Sequence, residues 1–185
     1  VEEILRMEQS LNVFLDYARP SRPEFKDVDL VELIDRTVRL IKGRADRQQV
    51  QLQTKSNESV SPLMVFADGG KLQQLLLNLG LNSLAMMPTG GKLTFSTEWN
   101  GSCICVFVSD TGPGVPDENR QRIFEPFFTT KETGVGLGLV ISRRIAEEHH
   151  GTLELTSSSE GAVFALTIPV TSTTDRQHSK SPQDD

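Results

Sequence analysis

Apolar residues recur three and four positions apart in four stretches of the chain, which places them on one face of an α-helix. Asp29 with Glu32 resembles a capping box at the start of the second stretch, and Gly151 is expected to end the fourth. The first stretch is too short to be stable alone and is expected to pack in a bundle. The predicted helices cover residues 1–18, 29–46, 70–86 and 135–149.

Short runs rich in β-branched and aromatic residues predict six strands. Asn100-Gly101 lies between the third and fourth runs and is a strong signal for a β-hairpin. Helices and strands in this mixture predict an α/β fold: a two-layer sandwich of a mixed, partly antiparallel sheet covered on one face by about three helices, with a preceding bundle-type helix. The predicted strands are "VQLQT", "LMVFAD", "KLTFSTEW", "CICVFVSD", "TLELTSS" and "AVFALTIPV".

Three segments show neither the apolar spacing of a helix nor the composition of a strand. The stretch "ARPSRPEF" contains two prolines and predicts a hinge or linker after the first helix. Residues 111–134 are polar and glycine-rich, which predicts a mobile loop, and the last fifteen residues have almost no apolar content, which predicts disorder. The expected organisation is a helix and linker at 1–23, a folded domain at 24–170 and a tail at 171–185.

Composition favours a soluble globular protein. Of 185 residues, 37% are hydrophobic and 24% are charged, and the net charge of −6 argues against binding nucleic acid through charge. No run approaches the ~18 apolar residues of a membrane span and no signal peptide is present, so we expect a cytoplasmic chain without direct membrane contact. Cys103 and Cys105 point to one face of a predicted strand and are expected to be buried, inert thiols. Because the chain begins with Val1, we expect a fragment of a longer protein.

Two asparagines stand out in the third predicted helix. Asn78 and Asn82 are four residues apart, on a narrow stripe between two leucine-rich faces. Burying two carboxamides without partners would cost a few kcal/mol. They are therefore either satisfied core amides or groups that line a cleft and face an ion or a ligand. Amide oxygens are hard, neutral ligands that suit Mg²⁺.

Asp110 ends a predicted strand that is apolar on both faces, and Gly112 and Gly114 follow it. A carboxylate at this position could accept a hydrogen bond from an exocyclic amine such as that of adenine. It could equally cap its own turn, which is common for an aspartate before a glycine.

Three alternating glycines, Gly134, Gly136 and Gly138, run into the fourth predicted helix. Free backbone N–H groups and the helix dipole favour a phosphate there, and Lys131 adds a positive charge nearby. The spacing fits neither a P-loop nor a dinucleotide fingerprint, so a helix cap without a ligand is an alternative.

Taken together and in this order, these elements resemble the ATP-binding domain of sensor histidine kinases in the GHKL superfamily, over residues 1 to about 170. In that family the asparagine box holds Mg²⁺ and phosphates, the aspartate reads the adenine amine, and the second glycine box lies at the triphosphate. The resemblance implies ATP and Mg²⁺ as cofactors, Asn78 and Lys131 as catalytic residues and Asn82 as a metal ligand. The implied nucleotide-binding residues are Asn78, Asn82, Asp110, Gly112, Gly114, Thr130, Lys131, Gly134, Gly136, Leu137 and Gly138.

The stretch "FEPFFTTK" is similar to the F box of that family, part of a lid over the nucleotide at about residues 111–134. On this interpretation Phe124, Phe127 and Phe128 anchor the ends of the lid to the core. Two small departures from the family pattern are Ser83, where alanine is usual, and Val135, where threonine is common.

Residues 1–23 resemble the second helix of the family's dimerisation and phosphoacceptor hairpin, through which the full-length parent would form a homodimer. The first helix, which bears the phosphorylated histidine, is missing, and His149, His150 and His178 do not replace it. We therefore expect that the fragment alone does not phosphorylate itself.

Asn78 also separates branches of the superfamily, because ATP-hydrolysing members carry a glutamate there as general base. An amide cannot take a proton at neutral pH, whereas phosphoryl transfer depends mainly on positioning and charge neutralisation. The expected function is transfer of the γ-phosphoryl group to a histidine, for relay to the receiver domain of a response regulator. A non-catalytic ATP-binding switch is the alternative, and a GHKL ATPase is a weaker one.

Overall fold

The computed structural model describes residues 22–56, 62–131, 134–156 and 161–170. The helix predicted over 1–18, the first half of the "ARPSRPEF" linker and residues 171–185 lie outside the described residues. The helices are α1 (Leu30–Arg47), α2 (Gly69–Met86) and α3 (Gly138–Glu148). The strands are β1 (Lys26–Asp29), β2 (Val50–Ser56), β3 (Met64–Ala67), β4 (Gly91–Trp99), β5 (Cys103–Asp110), β6 (Thr152–Thr156) and β7 (Val163–Pro169).

The main sheet has five strands in the order β2-β4-β5-β7-β6. β2 pairs parallel with β4, and the other neighbours pair antiparallel, so the sheet is mixed as predicted. Along β5, buried residues alternate with half-buried ones, because the helices cover one face of the sheet. The prediction of a two-layer α/β sandwich, with a sheet covered on one face by helices, is therefore confirmed.

A second, two-stranded sheet was not predicted. β1 pairs antiparallel with β3, directly before α1. The sequence of β1, "KDVD", has one apolar residue and does not predict a strand. Asp29 caps α1 as predicted, since its side chain accepts a hydrogen bond from the N–H of Val31. Glu32 does not complete a capping box but pairs with Arg36 one turn further along.

The predicted hairpin joins β4 to β5 through residues 100–102. Gly101 has a φ of +94°, and the Asn100 side chain accepts hydrogen bonds from the N–H groups of Ser102 and Cys103. Cys103 and Cys105 are free thiols on the uncovered face of the sheet. They are half-buried rather than buried as predicted, because none of the described helices lies over that face.

α3 starts later than predicted. Gly136 has a φ of +72°, which no right-handed helix contains, so the helix begins at Gly138 instead of Val135. At the other end, His150 rather than Gly151 takes the left-handed conformation, with a φ of +57°. Gly151 is required for a different reason: a Cβ there would lie 2.1 Å from the carbonyl oxygen of Thr167.

Candidate functional site

A cavity of about 310 Å³ lies between α2, the end of β5, the segment after β5 and the start of α3. The sequence singled out residues from all four of these elements, and the fold brings them together. Gly112 does not line the cavity but donates its N–H to Asp110. The predicted residues that line it are Asn78, Asn82, Asp110, Gly114, Thr130, Lys131, Gly134, Gly136, Leu137 and Gly138.

Asp110 lies at the end of β5 and is only 5% exposed. Its Oδ1 accepts hydrogen bonds from the N–H groups of Gly112, at 3.0 Å, and Ala162, at 3.2 Å. Its Oδ2 accepts from the hydroxyl of Ser83 at 2.7 Å. Three donors orient this buried carboxylate, and a carboxylate has acceptor sites for one more. The turn-capping and ligand-facing alternatives are therefore compatible, because Asp110 does cap its own turn and also lines the cavity.

Asn78 projects from α2 towards α3. Its Nδ2 donates to the hydroxyl of Ser142 at 2.9 Å, and its Oδ1 lies against Gly138. A Cβ on Gly138 would come within 2.4 Å of that oxygen, so the first residue of α3 must be a glycine for Asn78 to keep this position.

Asn82 lies one turn further along α2 and contacts the segment after β5. Its Oδ1 accepts a hydrogen bond from Nζ of Lys131 at 2.7 Å. Burial lowers the pKa of Lys131, and the nearby charge of Arg44 lowers it further. The amide oxygen of Asn82 at the cavity wall is therefore already engaged, as the acceptor for the amine of Lys131.

The glycines at the start of α3 allow close approach of the backbone. A Cβ on Gly136 would lie 2.5 Å from the carbonyl carbon of Phe127, and one on Gly134 would lie 2.5 Å from Oγ1 of Thr129. The N–H of Phe127 donates to the carbonyl of Gly136 at 3.0 Å. The "FFTT" stretch and the glycine-rich stretch are therefore packed directly against each other at the cavity.

The three phenylalanines of "FEPFF" have different environments. Phe124 packs edge-on against Phe164 of β7 with ring centroids 6.5 Å apart, and Arg143 of α3 lies 3.7 Å above its ring. Phe128 lines the cavity, and Arg122 lies 4.4 Å from its centroid. Phe127 is 60% exposed, so the prediction that it anchors the segment was wrong. A φ of +66° turns its side chain outward.

Several groups at the site were missed by sequence reasoning. Two buried serines contact site residues: Ser83 donates to Asp110, and Ser142 accepts from Asn78. The backbone N–H of Ala162 also donates to Asp110. Ser83 was noted from the sequence only as a departure from the family pattern, although its place directly after Asn82 on the same helix indicated that it lies near the site. Ser142 and Ala162 carry no comparable signal, because their importance depends on which strands and helices become neighbours.

The remaining lining is apolar and includes side chains such as Met86, Val115 and Ile123. The cavity thus combines apolar walls with a few polar groups, as small-molecule sites do. Within the described ranges no group of three or more His, Cys, Asp or Glu side chains is placed to hold a metal. No helix in the same ranges is long and apolar enough to cross a membrane.

His149 and His150 follow α3, away from this cavity. His149 is 3% exposed, and its Nε2 accepts the N–H of Asp68 at 2.9 Å while Nδ1 lies 2.7 Å from the carbonyl of Ile145. Both ring nitrogens are thus engaged in the fold. His178 lies outside the described residues.

Comparison with known proteins gives a consistent result. Residues 67–172 match the family described as histidine kinase-, DNA gyrase B- and HSP90-like ATPases. Sensor histidine kinase ZraS of Escherichia coli O157:H7 is 32% identical over 170 residues, which is 91% of this chain and 37% of that protein. The chain therefore spans little more than a third of this relative.

Two solved structures share the fold. Histidine kinase ThkA, in complex with response regulator protein TrrA, is 31% identical with a TM-score of 0.78, over 92% of this chain and 49% of that one. Full-length ShkA in complex with AMPPNP is 27% identical with a TM-score of 0.79, over 89% of this chain and 36% of that one. The chain belongs to the family of histidine kinase-, DNA gyrase B- and HSP90-like ATPases, and within it to the ATP-binding domains of sensor histidine kinases.

Proposed function

We propose that this domain is the catalytic core of a protein-histidine kinase in a two-component system. It transfers the γ-phosphoryl group of Mg-ATP to a histidine of the parent chain, for relay to an aspartate in the receiver domain of a response regulator. The observation that carries the proposal is one cavity lined by a buried, oriented carboxylate, two carboxamides, a lysine and alternating glycines.

The base of ATP binds beside Asp110. The carboxylate is held by Ser83, Gly112 and Ala162 and lies next to apolar cavity walls. An exocyclic amine can donate to its remaining acceptor site, while a carbonyl oxygen at the same place would be repelled. This geometry favours adenine over guanine.

The triphosphate binds at the start of α3. Gly134, Gly136 and Gly138 leave the backbone accessible there, and the N-terminus of a helix favours anions. Lys131 and Thr130 line the same part of the cavity, and Lys131 supplies the positive charge. Leu137 is fully buried and fixes the glycine-rich stretch to the core.

The donor set at α2 fits Mg²⁺, because Asn78 and Asn82 offer hard, neutral amide oxygens and the phosphates would complete the oxygen ligands. Asn82 is the ligand that we assign to the metal, and Lys131 must then leave its oxygen for the phosphates. When bound, Mg²⁺ neutralises charge on the phosphates.

Transfer is favoured over hydrolysis because the described lining of the cavity offers no carboxylate that could act as a general base for water. Asp110 is the one carboxylate among the described residues that line the cavity, and its three donors commit it to the base. Asn78 stands where a hydrolase would need a general base, and an amide cannot take a proton. An incoming histidine is itself the nucleophile: its ring nitrogen forms the N–P bond as the bond to ADP breaks.

The partners follow from the relatives. ThkA was solved with the response regulator TrrA, and we infer a receiver domain as the partner here. We infer that the parent chain is cytoplasmic in this part and forms a homodimer through the hairpin to which we assign residues 1–23. We assign the catalytic domain to residues 24–170 and its lid to about residues 111–134.

The test is transfer in trans. The fragment, incubated with [γ-³²P]ATP and a separate hairpin that contains the histidine helix of the parent, should label the hairpin with an acid-labile, base-stable phosphate, but should not label itself. The reaction should be slow, because the hairpin has lost its effective concentration. Asn82→Ala should abolish labelling. If the fragment binds ATP and no label reaches the hairpin, the domain is an ATP-binding switch and the kinase proposal is wrong.

A further inference from the structure

Ser142 is a buried polar residue that contacts Asn78, and the proposed function gives it no part in binding or transfer. It lies on α3, is 1% exposed, and accepts the Nδ2–H of Asn78 at 2.9 Å from a helix 64 residues away in sequence. Ser142 is not part of the cavity lining in the described residues, so it has no direct access to a ligand there. Its hydrogen bond to Asn78, which does line the cavity, connects it to the site.

The two ends of the Asn78 amide have the same shape and opposite chemistry. Its oxygen can bind a cation, whereas its NH₂ group can only donate hydrogen bonds. A carboxamide that is free to turn over would present the NH₂ group to the cation part of the time. The contact with Ser142 fixes Nδ2 on the side away from the cavity, and Oδ1 then lies beside Gly138, which lines it.

The oxygen and the nitrogen of the Asn78 amide both contact the same face of α3. Gly138 and Ser142 are four residues apart, and such residues lie above one another on a helix. Gly138 leaves the space that Oδ1 occupies, since a Cβ there would be 2.4 Å from that oxygen. Ser142 binds Nδ2 one turn later. Room for the oxygen and a partner for the nitrogen thus come from the same helix.

We propose that Ser142 is a positioning residue that fixes the orientation of the Asn78 amide, so that its oxygen faces the Mg²⁺ of bound Mg-ATP. This inference rests on the proposed function of the same cavity. The two buried serines then have different roles. Ser83 acts on binding of the adenine base through Asp110, and Ser142 acts on binding of the metal and phosphates through Asn78.

The experiment measures binding rather than activity. The affinity for a non-hydrolysable ATP analogue is determined by calorimetry, once with Mg²⁺ and once with EDTA, and the ratio of the two affinities gives the Mg²⁺ enhancement. In Ser142→Ala we expect this enhancement to fall about fivefold, the effect of one lost hydrogen bond, with the EDTA affinity little changed. Ser142→Thr keeps the hydroxyl and should retain most of the enhancement.

Two comparisons make the test specific. In an Asn78→Ala background, Ser142→Ala should cause no further loss, because it acts through Asn78. Ser83→Ala is the matched control: it should weaken binding by a similar factor with Mg²⁺ and with EDTA. Thermal melting of each variant shows that it is folded, and if Ser142→Thr does not fold, the double-mutant comparison decides.

The Mg²⁺ enhancement of nucleotide binding tests the proposed function in the wild type and the role of Ser142 in the variants. If the wild-type fragment binds no nucleotide, or binds it equally with and without Mg²⁺, the proposed function fails and this inference fails with it. If the wild type shows the enhancement and folded Ser142→Ala retains all of it, Ser142 is only structural and the proposed function stands. The same conclusion follows if the loss in Ser142→Ala persists without the Asn78 side chain.

Discussion

At the scale of single residues, the site depends on how its polar groups are held. Asp110 is buried and surrounded by three donors, so it is oriented before any ligand arrives. A preorganised acceptor does not lose further conformational freedom on binding, which favours affinity. Asp110 is thus the residue at which a small chemical change should affect nucleotide binding most clearly.

Asp110→Asn should weaken ATP binding at least about tenfold. The charge-assisted hydrogen bond to the adenine amine is lost, at a cost of about 1.5–3 kcal/mol. The new NH₂ group must also face one of the donors Ser83, Gly112 or Ala162. Calorimetry measures the change, with Glu154→Gln, an exposed carboxylate of β6, as the control. Unchanged affinity in folded Asp110→Asn would contradict the role of Asp110.

The sequence predicted the polar residues that line the cavity better than the residues that form hydrogen bonds to them. Asn78, Asn82 and Asp110 could be identified because each is a polar residue within or ending an apolar run. Ser83 and Ala162 lie 27 and 52 residues from Asp110 in sequence, and Ser142 lies 64 from Asn78. Contacts over such separations depend on the packing of whole elements, which no local pattern reports.

At the scale of elements, the start of α2 links the helix that carries both asparagines to the rest of the fold. Asp68 caps α2 by accepting the N–H of Lys71, and its second oxygen accepts the N–H of Glu24. Its own N–H donates to His149 at the end of α3. Lys71 and Glu148, whose charged atoms are 2.6 Å apart, join the same two helices. This cluster fixes α2 relative to α3, and the cavity lies between them.

Asp68→Ala should destabilise the domain by about 1–2 kcal/mol, as expected for loss of a helix cap. Burial alone would raise the pKa of Asp68, but the N–H groups of Lys71, Glu24 and Gly70 and the charge of Lys71 outweigh it and lower the pKa below 3.8. A lowered pKa in the folded state means that the carboxylate stabilises the fold at neutral pH. This contribution is lost as the pH falls through the lowered pKa.

Urea denaturation at pH 7 and at about pH 3 measures this effect. The difference in unfolding free energy between wild type and Asp68→Ala should be full at pH 7 and smaller at pH 3. Asp35→Ala, an exposed position on α1, is the control and should change little. An equal difference at both pH values would show that the charge of Asp68 contributes nothing.

The described part of the segment between β5 and α3 contains more local structure than its composition suggested. It contains short 3₁₀ helices at Asp117–Asn119 and Arg122–Phe124, and Phe124 packs against the core. The sequence predicted a mobile loop because glycine, proline and charged residues dominate it. The two arginine–phenylalanine contacts, with Arg122 and Arg143, could not be inferred from that composition.

If this segment is a lid, nucleotide should slow its hydrogen exchange. Backbone amides at about 111–134 should exchange quickly in the free protein and more slowly with the non-hydrolysable ATP analogue, because ligand contacts reduce local opening. β6 is the internal control, because it lies at the far edge of the sheet and should not respond. Equal exchange of the segment in both states would contradict the lid.

At the scale of the whole molecule, the cavity lies where the two layers of the sandwich meet. One wall is the end of a central strand of the sheet, and the others are α2, the start of α3 and the segment between β5 and α3. The sequence predicted both layers and their composition, because apolar periodicity reports which residues are buried. It could not predict strand order, and it is the strand order that places Ala162, directly before β7, beside Asp110 at the end of β5.

A ligand bound between the layers should stabilise the whole fold. An ATP analogue with Mg²⁺ at about 100 times its Kd should add about 2.7 kcal/mol to the free energy of unfolding, since it binds only the folded state. For a domain of this size, we expect a rise in Tm of roughly 5–11 °C. The matching GTP analogue places a carbonyl oxygen opposite Asp110 and should raise Tm much less at the same concentration. Scanning calorimetry compares the two, and Asp110→Asn should reduce the gap between them. Equal shifts for both nucleotides would mean that Asp110 does not select the base, even if the triphosphate binds as proposed.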